Sequence, residues 1–311
     1  MVANNSRREL TIRAAWLYHE RGFNQQAVAD RLGVSRSTVS RLLADAERAG
    51  IIRVIVTESL PESARLAERL IEDYGLAGAT VEIALDGESS FDAAGAAMAR
   101  RLEHAVAAGS TIIAAGWGRT LGCAAKTARS MHTSGVTVVD AFGHTTSPDI
   151  ATAVEVTNTL GLKYGAKVMH IPSPGFAPTV EIAANFYESE SVSSTLEKAR
   201  AADMTIVAIG VTGPDSLLVT AGYLTNQQMD EIIAAGAVGE VFGIYFDAKG
   251  NVIEQDFVHP ISLTLEDLSA SRRVIAAAGG PEKAEALKGA IATGAIDEVA
   301  VDDSLARALL D

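Results

Sequence analysis

Residues 24–50, NQQAVADRLGVSRSTVSRLLADAERAG, carry the spacing that most constrains what this chain can fold into. Ala29 is small enough for two helices to cross closely. Four residues on, Gly33 can take the positive φ of a tight interhelical turn, Val34 plugs the angle between the helices, and Ser35 can cap the second one. Val39, Leu42 and Leu43 form that helix's inner face. The spacing predicts two short helices, the first capped by Asn24 and opened by Gln25, meeting in a helix-turn-helix. Upstream, Leu10, Ala14, Leu17 and Tyr18 recur at helical spacing over 7–21, and Gly22 closes that helix.

The second helix leaves Arg36, Ser37, Ser40 and Arg41 facing outward, with Thr38 beside them and Ser35 at its head. Such side chains hydrogen-bond phosphates and base edges, and a helix-turn-helix enters the major groove by this end of its second helix. Gln25, Ser35, Arg36, Ser37, Thr38, Ser40 and Arg41 are therefore the candidate contacts to double-stranded DNA. The plainer reading is a helical hairpin with an arginine-rich solvated face. Beyond Gly50, the alternation over Ile51–Thr57 reads as a strand, the wing of a winged variant, with Arg53 turned to backbone phosphate. Pro61 interrupts the chain. Residues 62–74 then place Leu66, Leu70 and Ile71 on one side of an amphipathic helix, which either packs on its own body or forms a dimer contact.

Charge divides the chain at the same place. Residues 1–60 hold nine arginines, no lysine and six acids, a net +3; residues 61–311 hold 17 basic and 33 acidic side chains, a net −16. A positive head on an acidic body attracts a polyanion at one end only. Three parts follow: a head over 1–57, a linker helix over 58–75, and a body over 76–311. With 48% hydrophobic and 21% charged residues, the chain can bury a substantial core, which excludes global disorder. One cysteine, Cys123, excludes a disulfide framework and a cysteine zinc cluster. No apolar run reaches the ~18–20 residues of a membrane span, and MVANNSRREL lacks the apolar core of a secretory leader, so a cytoplasmic protein without membrane contact is expected.

The body alternates apolar runs (79–85, 111–115, 136–141, 167–171, 205–209, 241–246, 273–278, 296–301) with helical stretches (91–107, 121–132, 152–164, 190–202, 226–235, 281–292, 303–310). This predicts an α/β fold: a doubly wound, mostly parallel sheet covered on both faces. Four strands end in glycine: Gly116-Trp117-Gly118-Arg119-Thr120, Gly143-His144, Gly210-Val211-Thr212-Gly213 and Gly279-Gly280. Ligands bind at the carboxyl ends of parallel strands, and a helix beginning there offers free N–H groups to an anion. In the first turn the Thr120 hydroxyl can donate to a phosphate oxygen; the plainer reading is a routine strand–helix turn. After Gly280, Pro281 opens a helix whose first turn holds Lys283, where a cation opposes the helix dipole by ~0.3–1 kcal/mol unless an anion binds beside it. Otherwise Lys283 is simply solvated.

Weaker candidates are Asp247 in FDAKGN, equally a hairpin turn residue, and His144, which either faces a ligand or sits on a loop. His170 reads as a core histidine and Cys123 as buried and inert. No spacing of His, Asp and Glu suggests a metal site and no Ser-His-Asp arrangement is readable, so no cofactor is expected.

Four segments together resemble the SorC family of bacterial transcriptional regulators, which includes deoxyribonucleoside and central-glycolytic-gene repressors. They are NQQAVADRLGVSRSTVSRLL (24–43), AAGWGRTL (114–121), GAVGEVFGIYFDAKGNVI (236–253) and VIAAAGGPEKAEALKGAIATGAIDEVAVDDSLARALL (274–310). The resemblance implies a body similar to sugar-phosphate isomerases and deaminases, used as a sensor of a phosphorylated sugar. It implies that the Gly116, Gly118 and Thr120 turn, with Trp117 and Arg119 inside it, holds the phosphate. Lys283 matches the family's basic partner and Asp247 an acid for sugar hydroxyls, and members assemble as homodimers or homotetramers on palindromic operators. Gly143-His144 stands where the family has Gly-Gly, and Gly210–Ser216 and Pro172–Phe176 offer no distinctive ligand residue. The expectation is a DNA-binding regulator whose operator affinity follows a phosphorylated sugar. The rivals are a sugar-phosphate isomerase-like enzyme with an accessory DNA-binding head, and a module binding proteins alone.

Overall fold

The computed structural model describes residues 2–52, 61–107, 112–131, 133–146 and 151–311, with side chains from Arg7 onward. The chain forms two units, divided between residues 60 and 61.

In the first unit, α1 (Val2–Ala15) runs into a π-helical turn over Trp16–Glu20, followed by α2 (Gln25–Leu32) and α3 (Arg36–Arg48). The Asn24 side chain accepts from the Ala27 N–H and the Ser35 side chain from the Thr38 N–H, so both helices start at a side-chain cap. Gly33, at φ 66°, makes the turn between them. Ala14, Ala15, Val28, Ala29, Val39, Leu42, Leu43 and Ala46 form this unit's own core. The wing expected over Ile51–Thr57, with Arg53, lies from residue 53 on outside the described residues.

The second unit opens with α4 (Glu62–Tyr74). Its Leu66 and Leu70 are buried in the body's core, so these two pack on their own body, while Ile71 is half-buried. Chain order then gives β1 (Gly78–Glu82), α5 (Ser90–Ala107), β2 (Ile112–Ala115), α6 (Arg119–Thr127), β3 (Thr137–Asp140), α7 (Ala153–Tyr164) and β4 (Lys167–Met169). After β5 (Phe176–Ala177), α8 (Val180–Glu188) and α9 (Glu190–Arg200) come β6 (Met204–Ala208), β7 (Gly210–Val211), α10 (Leu217–Thr220) and α11 (Asn226–Ala234). The last stretch holds β8 (Gly239–Val241), β9 (Ile244–Phe246), β10 (Val252–Ile253), β11 (His259–Pro260), α12 (Leu265–Ser269), β12 (Val274–Ala278), α13 (Ala284–Ala292), β13 (Glu298–Asp302) and α14 (Asp303–Leu310).

Seven strands make one parallel sheet in the order β1-β13-β12-β6-β2-β3-β4. Alternate side chains serve opposite faces, as the pleat requires. Ile113, Ala115, Ile275 and Ala277 pack against Met98, Leu102, Leu121 and Leu160 of α5, α6 and α7. Their neighbours Ala114, Val274, Ala276 and Ala278 pack with Leu70, Leu196, Leu287 and Leu305 of α4, α9, α13 and α14. The sheet is therefore doubly wound, which is why its strands read as continuous apolar runs.

Two expected elements differ. The run 241–246 is not one strand: β8 and β9 pair antiparallel, Val241 opposite Ile244, across a turn in which Phe242 and Gly243 both take positive φ, 57° and 79°. Two positive φ values are the signature of a tight hairpin turn that follows the right-handed strand twist. This hairpin belongs to a separate antiparallel sheet, β10-β9-β8-β7. The helix expected over 121–132 ends at Thr127, because Ala128 turns extended.

Candidate functional site

The sheet order places the site. From β2 the chain winds outward through β3 to β4, then returns to β6 on the other side of β2 and winds on to β12 and β13. Strands β2 and β6 are neighbours whose connections leave in opposite directions, and a crevice opens at their carboxyl ends. A cavity of about 300 Å³ lies there. Its walls are Trp117–Thr120 after β2, Ala208–Val211 after β6, Asp215 and Leu217, Glu240 of β8, Glu282 and Lys283 after β12, and Phe91 of α5.

One end is cationic. Gly118 is the N-cap of α6 and lends no side-chain cap, so the N–H groups of Arg119, Thr120 and Leu121 have no intrahelical acceptor. Thr120 is 1% exposed, with its hydroxyl-bearing side chain on the cavity wall. Lys283 closes the 3-10 turn Pro281–Lys283 ahead of α13 and donates from Nζ to the Ile209 carbonyl at 2.8 Å. That bond, and the carboxylates of Glu240 and Glu282, answer the conflict with the helix dipole that its position raises. Burial of the ammonium pushes the Lys283 pKa down to about 8; the Glu240 and Glu282 charges pull it up, and Arg119 pushes it further down. The Arg119 guanidinium and the Lys283 ammonium stand 5.3 and 5.4 Å from the Phe91 ring centre.

The facing wall is acidic. Glu240 is 5% exposed, and its Oε2 accepts from the Gly243 N–H at 2.7 Å, across the turn of its own hairpin. Its Oε1 lies where a Cβ on residue 210 would stand, so glycine is required there. Burial pushes the Glu240 pKa up to about 7, against the Gly243 N–H and the Lys283 charge. Lys283 and Glu240 thus bring opposite charges into one desolvated cavity, each offsetting part of the cost of burying the other.

Beneath the cavity the indole of Trp117 stacks on Phe142 at 5.2 Å, and Phe142 on Phe242 at 5.7 Å. Gly116 is not on the cavity wall; a Cβ there would stand 2.7 Å from the Phe242 ring. Its role is to admit that ring, which seats the hairpin carrying Glu240 against the turn carrying Thr120.

Trp117, Gly118, Arg119, Thr120 and Lys283 are therefore brought together. Gly143, His144 and Asp247 are not on the wall. Gly143 is packed against the Pro174 carbonyl, and His144 is exposed and bridges to Pro174. Asp247 sits in the β9–β10 turn, accepting from the Lys249 and Asn251 N–H groups and from Asn251 Nδ2 at 2.8–2.9 Å, bonds that hold its carboxyl below the usual range. It is the hairpin residue of the plainer reading. The cavity's buried acid is instead Glu240, a lone carboxylate in the apolar run VGEVFGIYF. Gly210, Val211 and Asp215 also line the wall, although their stretch held no distinctive ligand residue by sequence. His170 is half-buried, not core, and its ring bonds Asp140 at 3.0 Å and Asn158 at 3.2 Å. Burial holds the Cys123 thiol up at about 11, which keeps it protonated.

In the first unit Arg36, Ser37, Ser40 and Arg41 are exposed along one side of α3. Ser35 and Thr38 are joined to each other at 2.8 Å and serve the cap. Arg7 and Arg48 are tied to Asp45, while Arg36 and Arg41 have no ion-pair partner among the described residues. Gln25 meets Arg36 in an open groove with Tyr18, Asn24 and Gln26.

Residues 59–311 match the family described as "Putative sugar-binding domain", and residues 7–55 match the homeodomain-like domain. The chain is 31% identical over 309 residues to the erythritol catabolism regulatory protein EryD of Brucella abortus, covering 97% of this chain and 96% of that one. It is 26% identical to the deoxyribonucleoside regulator of Bacillus subtilis, with 99% of each covered. The crystal structure of the full-length sorbitol operon regulator SorC from Klebsiella pneumoniae superposes with a TM-score of 0.73 at 21% identity, over 98% of this chain and 99% of that one. These relatives are named as regulators, not enzymes. With a sugar-binding body, a helix-turn-helix head and relatives matching both along nearly their whole length, the chain belongs to this family of sugar-binding transcriptional regulators.

Proposed function

We propose that the chain is a DNA-binding regulator whose operator affinity is set by a small phosphorylated sugar held in the cavity between β2 and β6. One observation carries the reading: the uncapped head of α6, the Thr120 hydroxyl and the Lys283 ammonium converge on one cavity. Free amides and a cation are what a phosphate needs. Lys283 uses one donor on Ile209 and keeps two for the ligand. The opposite wall offers carboxylate acceptors to sugar hydroxyls.

On the DNA side, Arg36, Ser37, Ser40 and Arg41 contact the operator, with Gln25 flanking them; Ser35 and Thr38 support the helix head. The protein works in the cytoplasm as a homodimer or homotetramer. The sugar binds one quaternary arrangement better than another and so alters the spacing of paired recognition helices. A coupling of ~1–3 kcal/mol changes operator affinity about 5–150-fold.

A thermal-shift screen tests this on the full chain. It sets phosphorylated pentoses, hexoses, deoxyribose and erythritol against their unphosphorylated parents. Ligands that bind the native state raise the melting temperature by mass action. Stabilisation by phosphorylated compounds is expected; stabilisation by the parents alone rejects the phosphate assignment of Thr120 and Lys283.

A further inference from the structure

We infer that this cavity takes a ligand with a single phosphate and an uncharged, hydroxyl-bearing far end, and that Glu240 and Asp215 are the residues that turn a second phosphate away. The inference rests on the phosphate reading above and narrows it to a ligand class.

The wall of the cavity carries side chains of both signs. Its basic side chains are Arg119 and Lys283, and with the head of α6 they neutralise about one phosphate. Among the described residues, everything else that is charged on the wall is acidic: Asp215, Glu240 and Glu282. Glu282 belongs to the same turn as Lys283 and stands at the cationic end, beside Gly280. Glu240 and Asp215 are left for the rest of the ligand. Glu240 is the anchored one: Oε2 is held by the Gly243 N–H, and Oε1, against Gly210, accepts no hydrogen bond from any described residue. An acceptor in that state on a cavity wall is satisfied by a hydroxyl and opposed by an anion. A second phosphate placed against it meets a like charge in a desolvated site, with no basic side chain among the described wall residues left to answer it. Size agrees with this, since about 300 Å³ is at the small end of ligand cavities and keeps a sugar phosphate close to the carboxylates of the wall.

The test is calorimetric titration of the full chain at pH 8. The ligand pairs are phosphate and pyrophosphate, and the mono- and bisphosphates of ribose, glucose and fructose. Each pair is measured on the unaltered chain, on Glu240→Gln and on Asp215→Asn. Each monophosphate that binds should do so at least about tenfold tighter than its bisphosphate partner, and each substitution should shrink that ratio by about threefold or more. Glu240→Gln keeps the shape and the acceptor for Gly243, and its melting curve reports whether it folds; Asp215→Asn carries the test independently. A bisphosphate binding as tightly as its monophosphate overturns the inference and leaves the phosphate reading standing. So does a ratio that neither substitution moves. Failure of every compound, inorganic phosphate included, overturns the phosphate reading itself and this inference with it.

Discussion

Effector affinity should fall about tenfold between pH 7 and pH 9, and Lys283 sets the size of the effect. Its burial outweighs the pull of Glu240 and Glu282 and pushes its pKa down to about 8. At pH 7 roughly nine-tenths of the chains carry the ammonium; at pH 9 roughly one-tenth do. A phosphate binding only to the charged form raises that pKa above the range. Apparent affinity then follows the charged fraction, about one decade or ~1.4 kcal/mol. The sugar phosphate is already a dianion above pH 7, its second pKa being ~6, so the ligand contributes no opposing slope. Glu240 acts in the same direction, since below its pKa of about 7 the neutral carboxyl no longer repels the anion. Titration calorimetry at pH 7, 8 and 9, in buffers of different ionisation enthalpy, reads both the affinity and an uptake of about half a proton at pH 8. Affinity that is flat across this range refutes the reasoning. So does a Lys283→Met variant that binds and keeps the full dependence.

Three further outcomes test other parts of the molecule. Arg36→Ala and Arg41→Ala should each weaken operator binding by ~1–3 kcal/mol, and loss of a phosphate contact should lower the slope of log affinity against log salt by about one; unchanged binding by both removes α3 from the operator. Gly116→Ala forces a methyl to 2.7 Å from the Phe242 ring and should cost ~1–3 kcal/mol in urea unfolding while weakening the effector, because the Glu240 hairpin is unseated. Glu298 is 6% exposed and is shared by Arg273, at 2.7 and 2.9 Å, and Arg101. Glu298→Ala leaves two half-buried guanidinium groups without their carboxylate and should destabilise the body by ~3–5 kcal/mol, measured by urea unfolding; a change below 1 kcal/mol refutes that role.

What could be read beforehand follows from how local each signal is. The caps at Asn24 and Ser35, the turn at Gly33 and the inner face of α3 depend on neighbours within five residues, and all lie as expected. Each strand of the parallel sheet is buried on both faces and so carries its signal in its own apolar run. The run 241–246 carried the same signal, and the positive φ of Phe242 and Gly243 breaks it into a hairpin, with Phe242 stacked on Phe142 from another part of the chain. The site divides the same way. Thr120 and Lys283 follow glycine turns at strand ends, a pattern visible in sequence. Asp247 has an equally visible pattern, but its carboxylate is consumed by its own turn. Glu240 had no pattern beyond being charged among apolar neighbours, because what makes room for it on the cavity wall is Gly210, thirty positions away and opposite it across the β7–β8 pairing.

The effector's own charge is too small to be the signal that reaches DNA. A bound phosphate brings at most about two negative charges to a segment already at −16, and Lys283 and Arg119 offset most of that locally. In the proposed mechanism an effector that changes operator affinity several-fold therefore acts by favouring one arrangement of the protein over another. That requirement has a thermodynamic consequence. If the sugar phosphate weakens operator binding by some factor, saturating operator duplex must weaken sugar phosphate binding by the same factor. Effector titrations with and without a saturating duplex, set beside operator titrations with and without saturating effector, measure the two factors independently. Agreement within about twofold is expected, at a value between about 5 and 150. A change in operator retention with no reciprocal change in effector affinity means that the sugar phosphate does not work through a shared equilibrium, and the cavity between β2 and β6 is then not the sensor of this regulator.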